Sequence, residues 1–523
     1  MRRVHNLVIG AGPAGLQLAY LLGQQGQDYL VLEKGQGAGH FFERYPRHRR
    51  LLSINKRHTG YPDLESRRRY DWNSLLCDDE DLQFPARTKE YFPSPDELVE
   101  YLRAFAQRHV PHVEYGQTVT RVKATEDGFD VSIEPGQSIR CARLFIATGI
   151  PEANTPSISG VELCENYDRF SVDPDDYLDQ RVFILGKGNS AFETADNLIA
   201  TTRKIWVCGS RTVRLAWGTH YVGDLRAVNN NFLDTYQLKT QNNILDGTIR
   251  AVRRDEERDE LVVSVWFDSR QRLLEYRCDR VLLCTGFHAD FDIFDSTSAP
   301  KRRSCNRLPL MTCEWESINV PNMFFAGTLM QSRDYRKTMS AFIHGFRHNI
   351  DSLVRILAMR DGAREWPGCR HLPSSSVELG NALIERLSTS ASLLLQPGFL
   401  SDVVLVGANG AAEYLTEVPV DYARERILPN HESALVVTLE YGKHEAYMDP
   451  FAMPRGVGVE EDFYLHPILR HYERGKPIGR FWLPDELDND WRTEPEHLEA
   501  LCRWLDATTR NSTAAQQAMQ AGP

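Results

Sequence analysis

Val8-Ile9-Gly10-Ala11-Gly12-Pro13-Ala14-Gly15, set beside Phe183-Ile184-Leu185-Gly186-Lys187-Gly188-Asn189-Ser190-Ala191, decides the fold. Each stretch is an apolar, strand-like run that breaks into a glycine-rich turn and opens a helix-like run, the pattern of a βαβ unit that receives a dinucleotide. In the first, Gly10 permits the tight turn, Gly12 lets the backbone approach a pyrophosphate, and Gly15 lets the helix lie against the sheet. The pyrophosphate would meet the helix N-terminus at Pro13 and Ala14, where free N–H groups and the dipole favour an anion. Glu33 closes the next apolar run, Tyr29-Leu30-Val31-Leu32. It falls about 20 residues on, where an acid accepts hydrogen bonds from ribose hydroxyls, with Lys34 beside it.

The second stretch differs downstream. Its next strand-like run, Lys204 to Cys208, ends without an acid and leads to Gly209-Ser210-Arg211. A carboxylate there would repel a 2′-phosphate, whereas a guanidinium grips one in a bidentate fork. The alternative is that Arg211 is a solvated surface arginine, of the kind that contributes little. The asymmetry predicts FAD in the first site and NADPH in the second.

At 523 residues the chain has room for about three domains, and its 42% hydrophobic and 25% charged content is that of an ordinary globular protein. Net charge is 61 minus 72, or −11, which disfavours a general nucleic-acid partner. Basic clusters at Arg47 to Arg50, Arg67 to Arg69 and Lys301 to Arg303 read as solvated faces or phosphate contacts. The chain enters a strand directly after Arg2 and Arg3, no run approaches a membrane span, and Gln520-Ala521-Gly522-Pro523 carries no retention or lipidation signal. A cytoplasmic protein with no membrane partner is the expectation. The ten cysteines form no CxxC pair and no zinc-ligand spacing, so buried reduced thiols and no metal are expected.

Along the chain, a polar and aromatic segment from about 36 to 93 lacks clean periodicity. Pro95 to Arg108 then reads as a helix with Ser94 as N-cap, followed by strand-like runs at 118–124, 128–133 and 141–147 that end in Ala147-Thr148-Gly149. Val281 to Cys284 repeats the pattern with Thr285-Gly286, and Met323 to Ala326 supplies another strand with Gly327 at its exit. A helix from about 337 to 358 would offer its N-terminal amides to the flavin. Beyond 365, Leu383 to Leu395 reads as a helix and Ala434 to Leu439 as a strand. The fold class is therefore α/β, with two dinucleotide-binding (Rossmann-like) domains and a C-terminal α+β extension. The predicted divisions are a discontinuous FAD-binding domain (1–165 and 281–362) and an NADPH-binding domain (166–280) with an insert at 215–239. The extension takes 363–508, and 509–523 is a disordered tail.

GAGPAGL from Gly10, ATG from Ala147, GKGNSAFETA from Gly186, CTGF from Cys284 and FFAGT from Phe324 together resemble the flavin-containing monooxygenase superfamily. Three long stretches carry a closer likeness to one of its branches: YPRHRRLLSINKRHTG from Tyr45, THYVGDLRAVNNNFLDTYQLK from Thr219 and DYRKTMSAFIHGFRHNI from Asp334. Asn55 is similar to the asparagine that this superfamily places beside the reactive flavin face; a turn or cap role is the alternative. Arg211 after Ser210 is similar to its NADPH-phosphate arginine. One departure is plain: residues 151 to 185 contain no histidine, where the superfamily carries one before the second fingerprint, and Tyr167 stands near that place.

The resemblance implies an FAD- and NADPH-dependent monooxygenase that oxygenates a small soft nucleophile, an amine or sulfur compound, through a C4a-hydroperoxyflavin. Its partners would be that small molecule and O2, with homo-oligomerisation left open. His220, Tyr221, Asp224, Arg226 and Asn230, on the insert expected to cover the nicotinamide, are the substrate candidates. Two other readings stay open, an NADPH oxidase or electron-transfer reductase without oxygen insertion, and a redox-responsive flavoprotein that binds a partner.

Overall fold

A computed structural model describes residues 2–520 apart from 135, 239–240, 304–305, 374, 408–410 and 443–463. Its first sheet is built around one long strand, Gln137–Ile146. Arg2–Ile9 pairs with it in parallel, and Tyr29–Glu33 and Val113–Tyr115 continue outward in the same sense. On the other side the strand is shared. Its N-terminal half takes the antiparallel strand Gly128–Ile133, itself paired with Val119–Thr125, while Leu144 to Ile146 pair in parallel with Met323–Phe325.

The sequence explains the division. Residues 128–133 alternate half-buried and buried, as a strand with one wet face does, whereas Leu144-Phe145-Ile146 is a continuous buried run covered on both faces. Met323–Phe325 reaches this sheet only after the whole second domain has been threaded, so the first domain is discontinuous. The helices Pro13–Gln24 and Ile343–Arg360 share its larger core, with Leu16, Leu18, Ile350 and Leu353 fully buried.

The second sheet is all parallel, in the order Asn243–Asp246, Lys204–Gly209, Arg181–Leu185, Arg280–Leu283, Glu165–Asn166. It takes in Glu165 and runs to Leu283, slightly wider than the predicted 166–280. An antiparallel layer, Thr248–Asp255, Glu260–Phe267 and Arg272–Cys278, packs Val252, Val263 and Val265 against Phe183 and Leu185. The two chain crossings between domains lie side by side, Glu152–Ala153 paired antiparallel with Phe287–His288.

The extension is a six-stranded antiparallel sheet in the order Arg370–Pro373, Ala411–Pro419, Leu400–Val406, Ser433–Tyr441, Leu465–Glu473, Lys476–Trp482. The helices Ser376–Thr389 and Pro495–Gln520 share a core with it through Leu379, Leu383, Leu387, Leu501 and Leu505.

Three predicted features are corrected. The helix read over Leu383 to Leu395 is two helices, because Ser390 is extended and its hydroxyl caps Ala391–Leu395 by accepting from the Leu393 amide at 3.2 Å. The helix predicted from about 337 starts at Ile343, since Phe342 is extended at φ −124°. The tail predicted to be disordered from 509 is helical to Gln520; Ala514 to Gln520 contains good helix formers and no glycine or proline. Residues 521–523 of that tail lie outside the described residues.

Candidate functional site

The two fingerprints fold into matching cradles. Gly10 sits at φ +106°, and a Cβ there would lie 2.7 Å from the Ala147 carbonyl oxygen. Gly186 sits at φ +124°, with the Cys284 carbonyl oxygen at 2.1 Å from the corresponding Cβ. Each first glycine is thus pressed against the strand end that precedes a Thr-Gly pair, and no other residue fits. A Cβ on Gly15 would stand 1.8 Å from the Gly10 carbonyl oxygen, and one on Gly327, at φ +74°, 2.5 Å from the Ala14 Cβ.

Gly12 and Gly188 behave differently. A Cβ on either meets nothing within 4 Å. Both are N-cap residues with no side-chain cap, so no side chain occupies the start of Pro13–Gln24 or of Asn189–Leu198. Room and unpaired donors at a helix N-terminus are what a pyrophosphate requires.

Around these cradles the candidates divide into open and committed groups. Glu33 is buried, and its two carboxylate oxygens accept from the Ala11 amide at 2.7 Å and the Gly35 amide at 2.8 Å, which leaves lone pairs on both. Thr148 Oγ1 is buried without a partner among the described residues, next to Gly149, whose Cβ direction is also open. The equivalent Thr285 is committed, its hydroxyl donating to the Asn154 carbonyl, and Gly286 is crowded by the Arg307 guanidinium. Lys34 is exposed.

In the second cradle, Ala191 is buried beneath the helix and Ser190 is half-buried. Asn189 is a strut rather than a free ligand. Its Nδ2 donates to the Asp224 carbonyl at 2.8 Å and its Oδ1 accepts from the Arg226 amide at 2.9 Å, tying the insert to the fingerprint. Ser210 and Arg211 are exposed, and Arg211 makes no hydrogen bond or ion pair with the described residues.

Asn55 is buried in the segment from 36 to 93 that lacks clean periodicity. Its Nδ2 donates to the Thr88 and Glu90 carbonyls, both at 3.2 Å, while Oδ1 is buried with no partner among the described residues. Two carbonyl partners fix which way the amide faces, so what Asn55 presents is an acceptor. It bridges to Asp71, and the next residue, Trp72, stacks on His344 with ring centroids 4.3 Å apart.

The insert residues separate on inspection. Arg226 is largely buried, donates to the Leu52 carbonyl at 2.7 Å and lies over the Trp72 ring at 5.4 Å. Tyr221 is buried with its ring 5.9 Å from Phe342. These two join Asn55 around one aromatic wall. Asp224 Oδ2 accepts from Thr219 Oγ1 at 2.8 Å and pairs with Arg214 at 3.3 Å, so one of its oxygens is committed. His220 stacks on Tyr441 of the extension at 3.9 Å. Asn230 is half-buried with Oδ1 unpartnered among the described residues.

Sequence reading missed Trp72 and His344. Trp72 falls in the stretch without periodicity, and His344 lies inside a quoted motif but has no spacing signal of its own. It also missed what the extension does at this site. Gln396 donates to Ser340 Oγ at 2.9 Å and Asn349 Oδ1 at 2.8 Å, and accepts from the Met339 amide at 2.9 Å, pinning the start of the helix Ile343–Arg360. Arg69 donates to the Ser388 and Asn489 carbonyls.

The nine described cysteines are free thiols; Cys305 lies outside the described residues. Burial pushes Cys141, Cys208, Cys278, Cys284 and Cys313 each up to about 12, so none of these is a thiolate near neutral pH. On the extension, Glu486, Glu494 and His497 bring their ligand atoms within 4.8 Å, and His497 Nε2 already bonds Glu486 at 2.6 Å. Among the described residues no helix is long and apolar enough to cross a membrane.

This architecture, two dinucleotide-binding domains with the first interrupted by the second, defines a flavoprotein oxidoreductase fold. The chain belongs to the pyridine nucleotide-disulphide oxidoreductase family, which it matches over residues 7–327. It is 34% identical to FAD-dependent oxidoreductase domain-containing protein 2 of Mus musculus, over 95% of this chain and 83% of that protein. Among solved structures it is similar in fold to a flavin-containing monooxygenase from Stenotrophomonas maltophilia, with TM-score 0.53, 18% identity, 69% of this chain and 100% of that one. A bacillithiol disulfide reductase from Staphylococcus aureus is similar to the same degree, with TM-score 0.53, 20% identity and 69% and 99% coverage. The resemblance to flavin-containing monooxygenases read from the motifs holds at the level of fold, and the C-terminal sheet lies beyond the family match.

Proposed function

We propose that the chain binds FAD in the first cradle and NADPH in the second, and uses them to oxygenate a small soft nucleophile, an amine or sulfur compound. The contrast between the two cradles carries the reading: a buried carboxylate, Glu33, after the first, and after the second an exposed Arg211 that pairs with none of the described residues. The first-turn amides at Gly12 would hold the FAD pyrophosphate, Glu33 the ribose and Thr148 Oγ1 a further polar atom. The amides at Gly188 and Ser190 would hold the NADPH pyrophosphate, with Ser210 and Arg211 on the 2′-phosphate. FAD bound there would supply hydride acceptance and oxygen activation.

The chain's own groups favour oxygen over a disulfide as acceptor. Burial holds the described thiols in their protonated form, so a cysteine relay has little support. Asn55 offers Oδ1 to an N–H donor such as the nicotinamide carboxamide, orienting it without a titrating group. Trp72, Arg226 and Tyr221 would form an apolar and cationic wall beside it that limits water at the reacting ring. O2 and a small molecule would be the partners; a net charge of −11 argues against nucleic acid, and the cytoplasmic expectation is kept as part of the proposal.

One observation favours the oxidase reading instead. Tyr167 is buried between Tyr45 and Phe287, where the superfamily carries its histidine, and burial pushes its hydroxyl well above the usual range. Both readings are separated by stoichiometry. Purified protein is supplied with NADPH, O2 and panels of amines and thioethers while NADPH, H2O2 and oxygenated product are counted. With an accepted nucleophile, one oxygenated product forms per NADPH and H2O2 falls. If H2O2 accounts for all NADPH with every nucleophile, the oxygenation reading is wrong and the oxidase reading stands.

A further inference from the structure

The helix Ile343–Arg360 carries His344 in its first turn, 2% exposed and packed against Trp72 of the aromatic wall. Both ring nitrogens, Nδ1 and Nε2, are buried without a hydrogen-bond partner among the described residues. Two orphaned nitrogens on one buried ring are costly, since each unsatisfied group loses its hydration without compensation. The ring is also held in place. It is stacked on Trp72 at 4.3 Å and on Phe342 at 5.8 Å, with interplanar angles of 22° and 11°. Phe342, the N-cap, provides no side-chain cap, and its carbonyl accepts from the Gly345 amide at 3.0 Å and the Phe346 amide at 2.8 Å.

Burial, reinforced by Arg347 and Arg226, holds His344 well below its usual range, so the ring is neutral. A neutral imidazole offers one donor and one acceptor. The matching ligand is a planar ring with a polar edge that carries carbonyl oxygens and an N–H, which is the pyrimidine side of an isoalloxazine. Its opposite, dimethylated edge has nothing for an imidazole to bond.

Resting on the FAD assignment above, we propose that His344 is a positioning residue for the flavin, its ring nitrogen hydrogen-bonding the polar edge of the isoalloxazine at the N-terminus of the helix Ile343–Arg360. A donor there favours the reduced ring, whose polar edge carries more negative charge.

The test uses the full chain reconstituted with FAD, comparing wild type with His344→Phe, which keeps the stack and removes both nitrogens, and with His344→Asn, which restores a donor and an acceptor. Reduction potential is measured by equilibration with a reference dye. His344→Phe is expected to lose about tenfold of its preference for the reduced flavin, equivalent to about 30 mV more negative for two electrons, and His344→Asn to recover part of that shift. In wild type carrying ¹⁵N-labelled histidine, FAD should move a ring-nitrogen resonance that disappears in His344→Asn. This second measurement decides the matter if His344→Phe does not fold. An unchanged potential in FAD-loaded His344→Phe, or a ring resonance indifferent to FAD, overturns the role of His344 and leaves the FAD assignment intact. A wild-type chain that takes up no FAD overturns the assignment itself.

Discussion

Gly12 and Gly15 stand three residues apart and have opposite physical meanings. A Cβ on Gly15 collides with the Gly10 carbonyl at 1.8 Å, whereas one on Gly12 meets no protein atom within 4 Å and Gly12 already has an ordinary φ of −75°. Gly15→Ala should therefore fail to fold well. Gly12→Ala should leave the melting temperature of the cofactor-free chain unchanged and weaken FAD at least tenfold, because the new methyl occupies the room left for the pyrophosphate. Calorimetry without FAD and fluorescence titration with it would show the contrast; unaltered FAD affinity in Gly12→Ala would place the pyrophosphate elsewhere. Arg211 yields a matching prediction for the second cradle. Its charge is exposed and unpaired among the described residues, so Arg211→Ala should raise the KM for NADPH about 10- to 100-fold while that for NADH stays within about twofold. Equal changes for both would show that the arginine is a general surface charge. These positions were legible from sequence because the signal is local: a turn that only glycine fits, and a charge at a fixed distance after a strand. Asn55 was legible only as a residue type. That it presents Oδ1 and not its amide N–H depends on the Thr88 and Glu90 carbonyls, more than thirty residues downstream.

The helix Ile343–Arg360 concentrates the buried polar groups of the first domain along its length. His348 is 3% exposed and accepts from Arg347 Nε at 3.3 Å, and burial with that guanidinium beside it holds it, like His344, well below its usual range. In the unfolded chain both titrate near pH 6.5. Below that pH the unfolded state binds more protons than the native state, so stability is full above about 6.5 and declines as pH falls, by up to about 1.4 kcal/mol per pH unit for each histidine. Asp351, raised by burial against the pull of Arg355, acts in the opposite sense as pH rises from about 4. The useful quantity is hence a difference. Thermal melts of wild type and His348→Gln between pH 5.0 and 7.5 should diverge with pH, wild type losing stability faster on acidification. Parallel curves would mean that His348 titrates alike in the folded and unfolded chain, against the depression expected from its burial. Sequence periodicity located this helix but misplaced its start by about two turns. The extended Phe342 and the 3-10 turn Gly327–Ser332 before it are set by packing on Ala14 and on Gln396, which no local pattern announces.

At the scale of the whole molecule, the extension is part of the site's frame. Its groups reach three segments of the first domain and the insert: Gln396 holds residues 339–349, Arg69 is anchored by Ser388 and Asn489, and Tyr441 stacks on His220. Gln396 is fully buried with all its bonds made, so Gln396→Ala should cost about 2–4 kcal/mol of stability, through a cavity and unsatisfied partners, and should loosen FAD as the helix start relaxes. A loss below about 0.5 kcal/mol in denaturant titration would show that the extension merely adjoins the first domain. Sequence by itself determined the two cradles, the order of their strands, turns and helices, and the charge contrast between Glu33 and Arg211. These are short-range consequences of backbone sterics and of electrostatics at a helix end. Tertiary structure alone decided that Met323–Phe325 shares a strand with Gly128–Ile133, and that Thr148 stays open while Thr285 is spent. It also decided that Trp72, Arg226 and His344, from three distant parts of the chain, form one wall. Those outcomes depend on which buried polar atoms find partners once distant segments close on one another, and a sequence carries that information only through the complete fold.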